Sequence, residues 1–156
     1  MDKILKRSDK IAFYEVDGEF VRMRGFTDFS MSKNPTEYTR KYVDEASERN
    51  DVVSYNPSIS FAFDRFSDDL VHEDMVNIAD NEIVGMGAVR SILIVDLSDE
   101  TEDGFRALKR DFAVIPDGEG ADSDTYTYSG NLKANGEIKA GFATTNDDWQ
   151  TAEFIG

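Results

Sequence analysis

Polar and apolar residues alternate one by one through the last quarter of the chain. Tyr126, Tyr128, Leu132 and Ala134 fall on one side of an extended segment, while Thr125, Thr127, Ser129, Asn131 and Lys133 fall on the other. A period of two gives a strand one dry and one wet face. Beyond Asn135-Gly136 the alternation resumes, with Ile138, Ala140 and Phe142 set against Glu137, Lys139 and Gly141. Asn-Gly suits a type I′ turn because both central residues need positive φ. The pattern therefore predicts a hairpin of Tyr126–Ala134 with Glu137–Ala143. A third extended piece, Trp149–Ile155, follows the turn-rich Thr144–Asp148, so the chain is expected to close in a three-strand meander.

The first half carries the same signature. Ile11–Val16 and Glu19–Arg24 flank Asp17-Gly18, a second turn of this kind. Its second arm is expected to run on through Phe26 to Met31 as one long strand, which would put Arg22 and Arg24 on the face of Asp28. From Ser32 to Pro57 the chain holds charge, Asn, two prolines and scattered apolar residues, chiefly Tyr38, Tyr42, Val52, Val53 and Tyr55. Segment 32–57 predicts a long ordered loop, and such lengths in a compact domain go with a function or with disorder. A helix over Tyr38–Arg49 is the competing reading, since Tyr38, Tyr42, Glu45 and Arg49 share one helical face.

Ile59, Phe61 and Phe63 alternate with Ser58, Ser60, Ala62 and Asp64, which marks a half-buried strand. Ser67-Asp68-Asp69 then offers a cap and first-turn acids. Val71, Met75, Ile78, Ala79 and Ile83 follow at helical spacing, and Gly85 with Gly87 supplies a stop. Val89–Leu97 is β-branched and nearly all apolar, as in a strand covered on both faces. Phe105–Ile115, with Leu108, Phe112 and Val114 on one side, predicts a further strand ending at the breaker Pro116-Asp117-Gly118. The expectation is a mainly β fold of about seven or eight strands with one helix.

Composition narrows the possibilities. A chain of 156 residues is one domain's worth and can bury a core without staples. Having no cysteine excludes disulfides, thiolate zinc sites and thiol nucleophiles. No run approaches the roughly 20 apolar residues that cross a bilayer, and Met1–Arg7 lacks the apolar core of a signal peptide. A soluble protein made in a cytoplasm, with no membrane partner, is expected. The 17 basic and 32 acidic residues leave a formal net charge of −15, the wrong sign for gripping a phosphate backbone. Acids cluster in Asp68–Glu82, Asp96–Asp103 and Asp117–Asp124, whereas the first 24 residues hold six bases against five acids. A slightly basic end on an acidic body favours attraction between neighbouring copies.

A search for chemistry finds little. His72, the single histidine, stands beside Glu73 and Asp74 and reads as a surface residue. No phosphate-binding glycine loop, His-Glu-x-x-His helix or Gly-x-Ser-x-Gly elbow occurs. Asp99–Gly104 copies the first half of an EF-hand loop, but Arg110 stands where a bidentate Glu is needed. Surface loop is the better reading there. No catalytic residue, metal site or cofactor is expected, and the chain does not read as an enzyme.

The stretch Tyr126–Thr144, with the aromatic close Trp149-Gln150-Thr151-Ala152-Glu153-Phe154, resembles the C-terminal strands of major tail tube proteins from tailed phages of Gram-positive hosts. The upstream order of hairpin, long loop, strand, acidic helix and apolar strand is similar too. The resemblance implies a single tail-tube-like domain over 1–156, with an N-terminal arm at 1–10 and a stacking loop at 32–57. It implies a β-sandwich or split barrel with one flanking α-helix, six copies of which close into a ring whose inner sheets join into one barrel. Rings stack into a hollow tube in the virion tail, made in the bacterial host cytoplasm.

Closure of a ring would satisfy the open edges of such a sheet, and six copies at −15 each carry a formal −90 per ring. An acidic bore repels DNA, so the polymer passes without binding. The implied partners are further copies of the chain, a tape measure protein, and tail tip and terminator proteins. Asn34, Tyr38, Tyr42, Val52 and Tyr55 are the expected contacts between rings. Asp28, Ser60 and Asp64, on polar strand faces, are the expected lumen residues. Two other readings stand beside this one: a tube protein of a contractile tail or phage-derived bacteriocin, and a monomeric carbohydrate-binding β-sandwich module in which Tyr126, Tyr128 and Trp149 would stack on sugar.

Overall fold

The computed structural model describes residues 4–122 and 124–156. Among the described residues, eleven strands, one α-helix and two 3-10 turns follow in chain order. The strands are β1 (Lys10–Val16), β2 (Glu19–Arg22), β3 (Phe26–Ser32), β4 (Pro35–Arg40), β5 (Arg49–Tyr55) and β6 (Ser58–Asp64). Helix α1 (Leu70–Asp80) precedes β7 (Val89–Thr101), β8 (Gly104–Asp122), β9 (Thr125–Ala134), β10 (Lys139–Thr144) and β11 (Thr151–Ile155).

Six of these strands close on themselves. The order β10-β11-β2-β1-β7-β8 is completed by pairing of β10 with β8, all antiparallel. Each wall strand sends side chains inward: Ile11 and Phe13, Phe20, Leu93 and Val95, Ala107, Ala143, and Ala152 form one buried cluster. Trp149 packs into it against Phe13 and Phe105, at ring separations of 6.0 and 5.4 Å. Three alanines keep a barrel of six strands narrow enough to fill.

The far half of β8 leaves the barrel and continues with β9, β6 and β3 as a sheet. Its apolar face carries Ile59, Phe61, Phe63, Phe112, Val114, Tyr128 and Leu132, and packs on Tyr14 and Ile92 of the barrel wall in a second core. The fold is thus a split barrel, with α1 filling one end of the cleft between sheet and barrel. Strand β7 reads as continuously apolar because Ile92 faces the second core and Leu93 the first.

Local signals set several elements. Asp17 and Gly18 take φ of 50° and 82°, and the β1–β2 hairpin forms as the turn chemistry requires. Asp69 caps α1 by accepting from the backbone N–H groups of Val71 (2.9 Å) and His72 (3.1 Å). Tyr14 hydroxyl donates to Asp74 on α1 at 2.5 Å, and Arg90 Nε donates to the same carboxylate at 2.9 Å. That network ties helix to barrel, and burial pushes the Tyr14 phenol well above its ordinary range, with the Asp74 bond adding to the effect.

Other expectations are corrected. Strand β9 does not form a hairpin with β10: Asn135 keeps a negative φ, and both strands lie on the same edge of β8. They read as one long strand interrupted at 135–138, with Asn135 N–H donating to Asp111 O (2.8 Å) and Arg110 Nε to Gly136 O (2.8 Å). Only β10 and β11 of the expected meander pair with each other. The arm after Asp17-Gly18 is two strands, broken at Gly25, whose φ is +74°. Strand β8 runs through Pro116-Asp117-Gly118 by a bulge instead of ending there. The supposed loop at 32–57 is a hairpin of β4 and β5, and no helix forms over Tyr38–Arg49. The strand count is higher than expected for these reasons.

Candidate assembly surfaces

The sheet β8-β9-β6-β3 has a polar face as clear as its apolar one. Cross-strand partners project to the same side, and the register aligns Asp28 with Ala62, Ser30 with Ser60, and Ser32 with Ser58. On the other flank of β6, Ser60 faces Asn131, Ala62 faces Ser129, and Asp64 faces Thr127. Asp28 accepts from Ser30 at 3.0 Å and from Ser60 at 2.9 Å, and Asp117 of β8 accepts from Ser129 at 3.4 Å. The face is therefore built mainly of hydroxyls, amides and carboxylates; Lys133, opposite Ser58, is a basic member and the exposed Ile115, opposite Asn131, an apolar one.

The structure brings the three expected lumen residues, Asp28, Ser60 and Asp64, onto this one face. Arg22 and Arg24 leave it, because the chain turns at Gly25 before β3 begins. Sequence reasoning missed Asp117 and the β9 residues; the period of Thr127, Ser129 and Asn131 was visible, but not that β6 lies beside them.

Two edges of this sheet are open among the described residues. Strand β3 pairs with β6 alone, and beyond the bulge at Asp117 residues 118–122 of β8 pair with β9 alone, β7 having ended its pairing at Ala113. Open edges are templates for a further strand.

The β4–β5 hairpin is the other unusual surface. Nearly all of its residues are exposed, including Tyr38, Val52, Val53 and Tyr55, each more than half exposed. An isolated two-stranded hairpin is marginal in water. Here Arg40 lies over Tyr38 (5.0 Å) and Tyr42 (5.4 Å), and pairs with Asp51, while Arg49 pairs with Glu45 at 2.7 Å. Of the expected ring contacts, Tyr38, Val52 and Tyr55 lie on the strands and Tyr42 in the turn. Asn34 lies instead at the neck, where its Nδ2 donates to Asn56 O and Ser58 Oγ, both at 3.1 Å.

His72 is not a surface residue. It is wholly buried, stacked on Phe63 at 4.4 Å. Its Nδ1 accepts the Phe66 N–H at 3.1 Å, and its Nε2 lies 2.6 Å from Arg24 O, so the neutral Nε2–H tautomer satisfies both. Burial lowers its pKa, against the partly offsetting bond to Arg24. Helical spacing could have shown this, because positions 72, 75 and 79 fall on one side of α1.

The carbohydrate candidates do not form one stacking platform, although the Tyr126 and Tyr128 rings lie 5.5 Å apart. Tyr128 is buried in the second core, Trp149 belongs to the barrel core, and Tyr126 is exposed, donating to Glu119 at 2.7 Å. Asp99–Gly104 spans the end of β7, a two-residue turn at Glu102-Asp103 and the first residue of β8, and among the described residues no group of three or more His, Asp or Glu could hold a metal ion.

No protein-family profile matches the chain, and no curated protein matches it. Solved structures do share its fold. A chain of the virion of a native gene transfer agent particle superposes with a TM-score of 0.61 at 14% identity, covering 88% of this chain and 98% of that one. A chain of the tail of an empty gene transfer agent particle, solved with C6 symmetry, gives 0.62 at 14% identity, with 87% and 98% covered. A chain of the six-fold symmetrised baseplate of the anti-feeding prophage gives 0.53 at 6% identity, with 91% and 98% covered. The chain thus has the mainly β fold found in proteins of phage-like tail particles.

Proposed function

We propose that the chain is a tail tube subunit, six copies of which close into a ring that stacks into a hollow conduit for DNA. One observation carries this reading: a sheet with a small, polar, acid-bearing face and two open edges, in a fold shared with chains of six-fold tail particles. Joining β3 of one copy to residues 118–122 of the next satisfies both edges and turns the Asp28, Ser60 and Asp64 face toward the bore. The exposed β4–β5 hairpin, with its aromatic and β-branched side chains, supplies the contact between rings. In this bore the carboxylates of Asp28, Asp64 and Asp117 outnumber the cation of Lys133, so DNA meets too little positive charge to be gripped and slides. In the virion tail such a tube meets a tape measure protein, a tip and a terminator.

The likeness to a baseplate chain supports a second reading, a ring subunit that closes without stacking. Negative-stain imaging of concentrated purified protein separates the two. Filaments of stacked rings are expected; rings alone favour the baseplate role, and dispersed single particles at all concentrations reject both.

A further inference from the structure

The cleft that α1 fills at one end is open at the other. There, beneath β3, two hollows meet at Met31 and Ile94, the larger about 400 Å³. Their floor is apolar, made by Ala12, Met23, Phe29 and Leu108. Around it stand Arg7, Lys10, Arg22, Lys33 and Arg110, with no acidic side chain in the lining. On a chain with 32 acids and 17 bases such a groove is an inversion of the overall charge, and it calls for an occupant that is acidic and apolar together.

This chain carries such a segment on its other flank. Asp80 at the end of α1 and Glu82 just beyond it lead into Val84 and Met86, which are 83% and 79% exposed. Ile83, Val84 and Met86 lie beside Ile115 and Pro116, where β8 departs from β7. The segment therefore sits at the open β8 edge of the sheet, and the groove sits under the open β3 edge.

We infer that the basic groove beneath β3 receives the 80–86 segment of a neighbouring copy, Val84 and Met86 entering the apolar floor while Asp80 and Glu82 meet the basic rim. The contact is heterologous, one flank to the opposite flank of the next copy, which is the geometry that closes a ring. It rests on the proposed ring and deepens it: strand pairing alone satisfies backbone groups, whereas the groove adds side-chain anchors and fixes which copy's edge is accepted.

The chain has no cysteine, so a crosslink can be placed cleanly. Oxidising concentrated protein carrying Met86→Cys and Met31→Cys is expected to give covalent oligomers extending to six, with neither single variant giving them. Rings or filaments that assemble without such a ladder overturn the groove and leave the tube standing. Protein that stays as single particles overturns both. As a second measurement, Asp80→Lys with Glu82→Lys is expected to raise the concentration needed for assembly about tenfold or more. Adding Lys10→Glu and Arg22→Glu should lower it again, and no recovery counts against the pairing.

Discussion

Gly130 sits where β9 crosses the bulge of β8, and replacing it with alanine tests how β8 passes from barrel to sheet. A Cβ there would meet the Ile115 carbonyl oxygen, Pro116 Cα at 2.8 Å and Asp117 N at 3.1 Å. All three are backbone atoms, so no side chain can swing away; relief requires the bulge itself to move. Overpacking in a filled site costs about 1–3 kcal/mol, and rigid neighbours place this case at about 2–3. Loss of unfolded-chain entropy on replacing Gly offsets about 0.4–1 kcal/mol. The net is about 1–2.5 kcal/mol, or a fall in Tm of about 2–10 °C for a domain of this size. Gly120→Ala is the control, since a Cβ at Gly120 has nothing within 4 Å. Thermal unfolding of dilute protein by circular dichroism should show a clear drop for Gly130→Ala and none for Gly120→Ala. Equal melting temperatures for Gly130→Ala and the parent would refute the account of the bulge as a close-packed crossing.

Stability should fall on acidification through His72. Its folded pKa lies below the ordinary 6.5 because burial disfavours the cation, so the unfolded chain binds the extra proton first and stability is lost as pH falls below about 6.5 toward the folded value. In His72→Gln the part of the denaturation midpoint's pH slope between 7 and 5 should flatten; an unchanged slope rejects His72 as the source. Removing residues 34–56 so that Lys33 joins Pro57 should leave a folded subunit, since among the described residues β4 and β5 pair only with each other, but one that forms no stacked filaments in electron micrographs. Filaments of normal length would show that the hairpin does not join rings. Asp28→Lys with Asp64→Lys should leave tubes intact while slowing DNA ejection in a particle that carries the variant, and an unaltered ejection rate would remove these carboxylates from the bore.

The sequence by itself determined what depends on near neighbours in the chain. The β1–β2 turn follows from Asp17-Gly18 tolerating positive φ, the neighbourhood of the α1 start from the Ser67-Asp68-Asp69 cluster, although Asp69 and not Ser67 caps it, and the two faces of β6 from strict alternation between Ser58 and Asp64. The candidate lumen residues were legible for that last reason, since a polar face is written in the local period. Tertiary structure decided which strands pair. Asn135-Gly136 offered a turn, but the long β8 edge had room for β9 and β10 end to end, and placing β10 there closed a barrel around Ala107, Ala143 and Ala152. The same global packing drew His72 inward, where two backbone partners satisfy a ring that its acidic sequence neighbours marked as exposed. Turn preferences amount to about a kilocalorie, whereas closing a core buries many side chains at about 1.5–3 kcal/mol each, and the larger sum chose the topology.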